Sequence, residues 1–160
     1  MNIKDKMDEE NKAIRLDKKR IERYVEKLEH YQKIVKHLKK WTKDMTETVF
    51  IKEISLKERY AIYHAYQLII EIMADLTAMV VKDMKIKPKD DYSNLAALKA
   101  YNLFTEREIL ELQKANKLRN VVVHDYNTID DKLVYKGIVE QNELFEKFYK
   151  VIKKWLEKIS

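Results

Sequence analysis

The sequence predicts an all-α protein, an up-and-down bundle of about five helices, and three observations carry that prediction. Glycine and proline occur once each, as Gly137 and Pro88, so the tight turns that β-hairpins need are almost absent. Charged residues make up 38% of the chain and apolar residues 46%, the balance of helices with one apolar face and one densely charged face. Apolar positions recur at spacings of three and four along most of the length. The 160 residues suit a single domain over 1–160, with 1–14 expected as a flexible or loosely packed lead-in.

The first helix is expected from Arg15 to Trp41, with Ile21, Tyr24, Leu28, Tyr31, Val35 and Leu38 on one stripe. A connector, "TKDMTETVFIKEI", follows with room for one short helical turn. "SLKE" at Ser55–Glu58 is a capping box, in which hydroxyl and carboxylate satisfy free backbone amides, and it opens the second helix. That helix is apolar around most of its circumference from Ala61 to Val81 and reads as the central rod. His64, Gln67, Glu71 and Asp75 form one polar line along it, which faces either a functional cleft or solvent; Glu71 sits deepest in the apolar run. "KIKPKDDYS" is the clearest loop, with Asp90 and Asp91 read as solvated turn residues. Ser93 can cap a short third helix ending near Phe104. "TERE" at Thr105–Glu108 is a second capping box and starts a fourth helix with Ile109, Leu112, Leu118 and Val122 inward. Asp130 or Asp131 can cap the fifth, with Val134, Ile138, Leu144, Phe148, Val151, Ile152 and Trp155 inward; Gly137 inside it marks an expected close approach of another backbone.

The inventory narrows function. Cysteine is absent, which removes disulfides, thiolate nucleophiles and zinc-thiolate sites. His30 and His37 read as surface residues and His64 as a core-edge histidine. No pair of histidines has metal-ligand spacing with carboxylates, so neither a metal nor another cofactor is expected. The N-terminus lacks the apolar core of a signal peptide, and no stretch reads as apolar enough to span a bilayer, so the expectation is a cytoplasmic protein without membrane association. A net charge of +6 is compatible with a polyanionic partner.

The most informative stretch is "KLRNVVVHDY", residues 117–126. On an ideal helix Arg119 and Tyr126, seven apart, fall within about 20° of each other, on a line shared with Asn116 and Val123. Asn120 and His124 form a neighbouring line. Arg119 and His124, five apart, diverge by about 140°, so one straight helix does not let them grip one small group. Either the helix ends or deforms before His124, or the motif meets its twin across a two-fold axis, with the valines as apolar surround. A third reading leaves His124 as a C-terminal residue favoured by the helix dipole and Arg119 as a surface cation.

"LRNVVVHDY" resembles the R-x-x-x-x-H-x-Y signature of the HEPN superfamily, and of its HepT-like toxins in prokaryotic toxin and antitoxin pairs. The similarity extends to "ERYAIYHAYQLIIEIMADLTAMVV" as that family's long second helix, to "KPKDDYSN" as the following loop and to "YNTID" after the motif. It covers Ile21 to Trp155. The resemblance implies a metal-independent endoribonuclease acting on RNA, with Arg119 and His124 as its catalytic residues; helix geometry adds a homodimer, and Asn120 and, on the polar line of the second helix, Glu71 are expected as supporting residues. The resemblance also implies that Tyr126 accepts AMP from a cognate MntA-like nucleotidyltransferase antitoxin.

The chemistry suits these residue types. When a 2′-hydroxyl attacks the adjacent phosphorus, a base takes its proton, an acid protonates the leaving 5′-oxygen and a cation stabilises the dianionic intermediate. Imidazole, which titrates near 6.5 in a free side chain, exchanges protons at neutrality, a role open to His124. The forked cation of Arg119 fits phosphate oxygens, and Asn120 can orient the imidazole or bind phosphate. One motif histidine per chain requires a second protomer for a complete acid and base pair. A different class stays open: a catalytically silent helical module that binds nucleotide or docks on a nucleotidyltransferase as its accessory subunit.

Overall fold

The longest apolar run of the sequence becomes the rod around which the other helices assemble. The structure, a computed structural model, describes residues 2–124 and 129–160. In chain order these form α1 (Ile3–Ala13), α2 (Lys18–Thr42), a π-helical turn (Val49–Glu53), α3 (Leu56–Asp83), α4 (Asp91–Ala100), α5 (Glu106–His124) and α6 (Asp131–Ile159). No strand occurs among the described residues. The all-α expectation holds, with six α-helices in place of about five.

α3 packs against α2, α4, α5 and α6. Thirteen of its residues are buried, from Ile62 to Val81. By length and composition alone α3 could cross a membrane, which corrects the expectation that no stretch is apolar enough. In the fold, 56% of its most apolar window is buried by neighbouring helices. The polar line on α3 is its outer edge: His64 and Asp75 are exposed, Gln67 and Glu71 half-buried. His64 therefore stands in solvent and not at the core edge.

Most helix boundaries follow their capping chemistry. The Ser55 and Glu58 side chains exchange hydrogen bonds with each other's backbone amides at 3.1 and 2.8 Å, and Thr105 and Glu108 do the same at α5. Asp130 caps α6. α4 departs from expectation. Asp90, not Ser93, is its N-cap, accepting from the Ser93 amide at 2.9 Å, and the helix ends at Ala100, before Asn102 turns the chain at φ 54°. A carboxylate outcompetes a hydroxyl here because it accepts from both the Ser93 amide and its Oγ. Residues 3–13, expected only as a lead-in, form α1 because Asn2 and Asp5 complete a capping box. None of its side chains is buried.

Buried aromatic residues with polar handles set how the helices seat. Tyr31 donates to the Phe145 carbonyl at 2.9 Å and Tyr66 to Gln141 Oε1 at 2.6 Å, joining α2 and α3 to α6. Tyr24 donates to Asp83 at 2.6 Å, and Arg20 reaches the same carboxylate at 2.9 Å. Burial, reinforced by the Asp83 hydrogen bond, pushes the Tyr24 phenol well above its ordinary range. On α6 the buried face is Val134, Ile138, Gln141, Phe145, Phe148, Ile152 and Trp155, while Leu144 and Val151 are only half-buried.

Gly137 is buried in α6, and a Cβ there would overlap Leu118 Cδ2. The close approach expected at this glycine is thus made by a side chain of α5, not by backbone. Forced repacking costs about 1–3 kcal/mol, more than the roughly 1 kcal/mol gained by replacing a helical glycine with alanine. Gly137→Ala should therefore lower stability by about 1 kcal/mol in urea unfolding, and should raise it in a Leu118→Ala background, where the overlap is gone.

Candidate functional site

α5 stays helical through His124, the last described residue before the next described segment at 129. Helix deformation before His124 therefore does not bring it to Arg119, and the 140° divergence of the ideal helix applies. Leu118 and Val122 anchor this end of α5 in the core, with Val121 and Val123 half-buried beside them. Asn120 and His124 are exposed on one line. Tyr126 lies outside the described residues.

Arg119 is held by its neighbours. Its side chain is 17% exposed, with Nη2 donating to Asn116 Oδ1 at 3.1 Å and lying 3.4 Å from Asp91 Oδ2. Its buried Nε has no hydrogen-bond partner among the described residues. Arg119 is thus neither a free surface cation nor sealed in the core: it retains donor capacity for an added oxygen ligand. Asp91 is not a solvated turn residue, as its sequence context suggested, but the first residue of α4 facing Arg119. Sequence reasoning missed it because 28 residues separate the two, and no local spacing reports such a contact. Asn116 was legible, one turn before Arg119 on the same line. The α4 end of the site is further tied to α5 by Gln113, whose amide donates to the Tyr92 carbonyl at 3.1 Å.

A second cluster pins the helix ends next to the motif. Arg59 Nη1 contacts Asp131 Oδ2 at 3.0 Å, Tyr63 donates to the other oxygen of that carboxylate, and Arg59 also donates to the Ile51 carbonyl. Burial, then the Asp131 hydrogen bond, pushes the Tyr63 phenol well above its ordinary range. The N-termini of α3 and α6 therefore meet at the end of the bundle where α5 finishes. Leu56 (59% exposed), Tyr60 (58%) and Leu133 (49%) present apolar surface there.

Glu71 does not join these groups. It accepts from Gln67 Nε2 at 2.9 Å along α3, and no hydrogen bond or ion pair among the described residues links it to Arg119 or His124. No group of three or more His, Asp or Glu side chains able to hold a metal ion occurs among the described residues.

The helical fold is that of solved HEPN toxins. A tri-AMPylated HEPN toxin of Shewanella oneidensis, solved in complex with an MNT antitoxin, superposes with a TM-score of 0.71 at 21% identity, over 82% of this chain and 96% of that one. YutE, a cytosolic protein of unknown function from Bacillus subtilis, gives 0.68 at 22% identity over 89% and 92%. Among curated relatives, an inferred RNase of Archaeoglobus fulgidus is 33% identical over 140 residues, 88% of this chain and 98% of that one. A second from the same organism is 30% identical over 131 residues, 82% and 92%. Residues 21–152 match the family described as Ribonuclease HepT-like. The chain belongs to the HepT-like ribonuclease family.

The two carboxylates differ in consequence. Asp91 is 40% exposed and its pair with Arg119 is long, so Asp91→Ala should cost under about 1 kcal/mol. Asp131→Ala strands a mostly buried Arg59 and the Tyr63 hydroxyl and should cost about 2 kcal/mol. Urea titration of both variants orders them.

Proposed function

We propose that the chain is a metal-independent endoribonuclease toxin whose site is completed by two copies, each supplying Arg119, Asn120 and His124. One observation carries this reading: α5 runs straight through His124, holding a partly sheltered Arg119 and exposed Asn120 and His124 on different lines. A second copy across a two-fold axis supplies what one helix cannot. The exposed Leu56, Tyr60 and Leu133 at the motif end give such a contact an apolar core.

In the proposed reaction one His124 takes the proton of the 2′-hydroxyl as that oxygen attacks phosphorus. The bond to the 5′-oxygen breaks, and the histidine of the other copy delivers a proton to the leaving oxygen. Arg119 donates to the non-bridging oxygens, exchanging Asp91 for phosphate, and Asn120 orients the imidazole or the phosphate. The products are a 2′,3′-cyclic phosphate and a free 5′-hydroxyl.

Regulation is proposed at Tyr126. The Shewanella toxin is AMPylated and bound to an MNT antitoxin, which supports a nucleotidyltransferase partner that transfers AMP to the Tyr126 hydroxyl. On the ideal-helix line that Tyr126 shares with Arg119, the added anion would oppose RNA both sterically and electrostatically.

Arg119→Ala and His124→Ala should each lower cleavage of single-stranded RNA by about a hundredfold or more while circular dichroism stays helical. EDTA should leave the rate unchanged. A strict magnesium requirement, or products ending in a free 3′-hydroxyl, would refute the mechanism, and a monomer at micromolar concentration in sedimentation would refute the shared site. Expression without a partner should arrest growth, and His124→Ala should not; absence of arrest by wild type would favour the docking-subunit alternative.

Tyr126→Phe should keep most ribonuclease activity yet gain no AMP in intact-mass measurement after incubation with the nucleotidyltransferase and ATP. Equal labelling of wild type and variant would place the acceptor elsewhere.

A further inference from the structure

Positive charge is not spread evenly over this protein. Residues 30–43 contain Lys33, Lys36, Lys39, Lys40 and Lys43 and no acidic residue, so fourteen residues carry five of the six net charges of the chain. All five lysines are exposed, four on the second half of α2 and Lys43 at its C-cap. Lys39 pairs with Glu146 at 3.0 Å, while the other four form no ion pair among the described residues. Compensation of the helix dipole does not account for the run, since that effect falls off within the last turn and Lys33 and Lys36 lie before it.

The lysines border a groove. Lys36, Lys39, Lys40 and Lys43 form one wall of a cavity of about 630 Å³, with Tyr135, Val139 and Asn142 of α6 opposite and Asp44 at one end. The buried Oδ1 of Asn142 has no hydrogen-bond partner among the described residues. Lys36 also lines a neighbouring cavity with Gln32, Lys150 and Glu146, the partner of Lys39, so the seam continues along α2 and α6. On the α3-facing flank of the same turn Trp41, which lines a separate cavity with Glu58, Ala61 and Ile62, is 44% exposed, and His37 stacks on it at 5.6 Å with an interplanar angle of 24°.

We propose that the second half of α2, with its seam against α6, is an accessory binding surface for single-stranded RNA. The inference rests on the ribonuclease reading and adds to it a contact outside the reacting phosphodiester. An RNA strand alternates anions and π faces, which matches lysines interleaved with an exposed aromatic. Single-stranded RNA is the occupant because a base reaches the Trp41 face only when it is unstacked from its neighbours. An acidic peptide would satisfy the lysines and leave the indole without a partner.

The test uses full-length protein and a fluorescein-labelled single-stranded oligouridylate, with binding followed by anisotropy in the His124→Ala background. Trp41→Ala should weaken binding about tenfold through lost stacking. The triple charge reversal Lys36→Glu, Lys40→Glu and Lys43→Glu should weaken it further and reduce the slope of log affinity against log salt by about two. With His124 intact, the triple variant should cleave a dinucleoside monophosphate like wild type and show a raised KM only on long RNA. Anisotropy and salt slope unchanged in both variants would overturn the proposal. So would unchanged RNA binding with loss of nucleotidyltransferase binding, which would make the seam a protein-docking face. If wild type cleaves neither substrate, the ribonuclease reading fails instead, and the anisotropy arms still decide whether the seam holds RNA.

Discussion

The burial of α3 is the constraint on which the rest of the structure depends. A rod that is apolar around most of its circumference is stable in water only if other helices cover it, and each large side chain covered contributes about 1.5–3 kcal/mol. α2, α4, α5 and α6 each take a share of that surface. Their own apolar stripes then fix their rotation, and the faces left outward follow by default. Arg119 is half-sheltered and His124 exposed because Leu118, just before Arg119, and Val122, between the two, are committed to the core.

Polar contacts do a different job from the apolar core. Burial drives helices together without fixing how far one slides along another, whereas the shared Asp83 of Arg20 and Tyr24, and the shared Asp131 of Arg59 and Tyr63, specify register. Each carboxylate lies at a helix end. The first ties α2 to the C-terminus of α3, and the second locks the N-termini of α3 and α6 together at the motif end. The polar end of the molecule is thereby assembled from elements remote in sequence but mechanically connected.

Much of this was legible in the sequence because it is local. The α3 and α5 capping boxes, the stripe on α2, the inward residues of α5 and the Arg119–Asn116 neighbourhood all follow from spacings of three and four residues. The parts that were not legible are long-range or competitive. Asp91 looked like a loop residue because its partner is 28 residues away. Asp90 won the α4 cap over Ser93 through a second hydrogen bond that no spacing rule ranks. On α6, Leu144 and Val151 were read as inward while Gln141 and Phe145 take the interior, because Tyr66 reaches across from α3 to the Gln141 amide and Tyr31 to the Phe145 carbonyl. The motif itself was visible as a geometric conflict between Arg119 and His124, and the straight course of α5 leaves that conflict standing within one chain.

The pairing of Arg119 with Asp91 has a consequence for selectivity. A bare guanidinium at the motif would attract any polyanion, from nucleic acids to nucleotides, in proportion to charge alone. With a carboxylate already at 3.4 Å, the same guanidinium presents an electrically masked face, and an incoming phosphate must outbid that carboxylate to be held. Under the proposed function, weak or misaligned anions lose the competition, while one whose oxygens meet the arginine fork of one copy and the imidazole of the other can win it. In that reading α4 tethers a competing carboxylate beside the resting arginine, and geometry sets which anions can displace it.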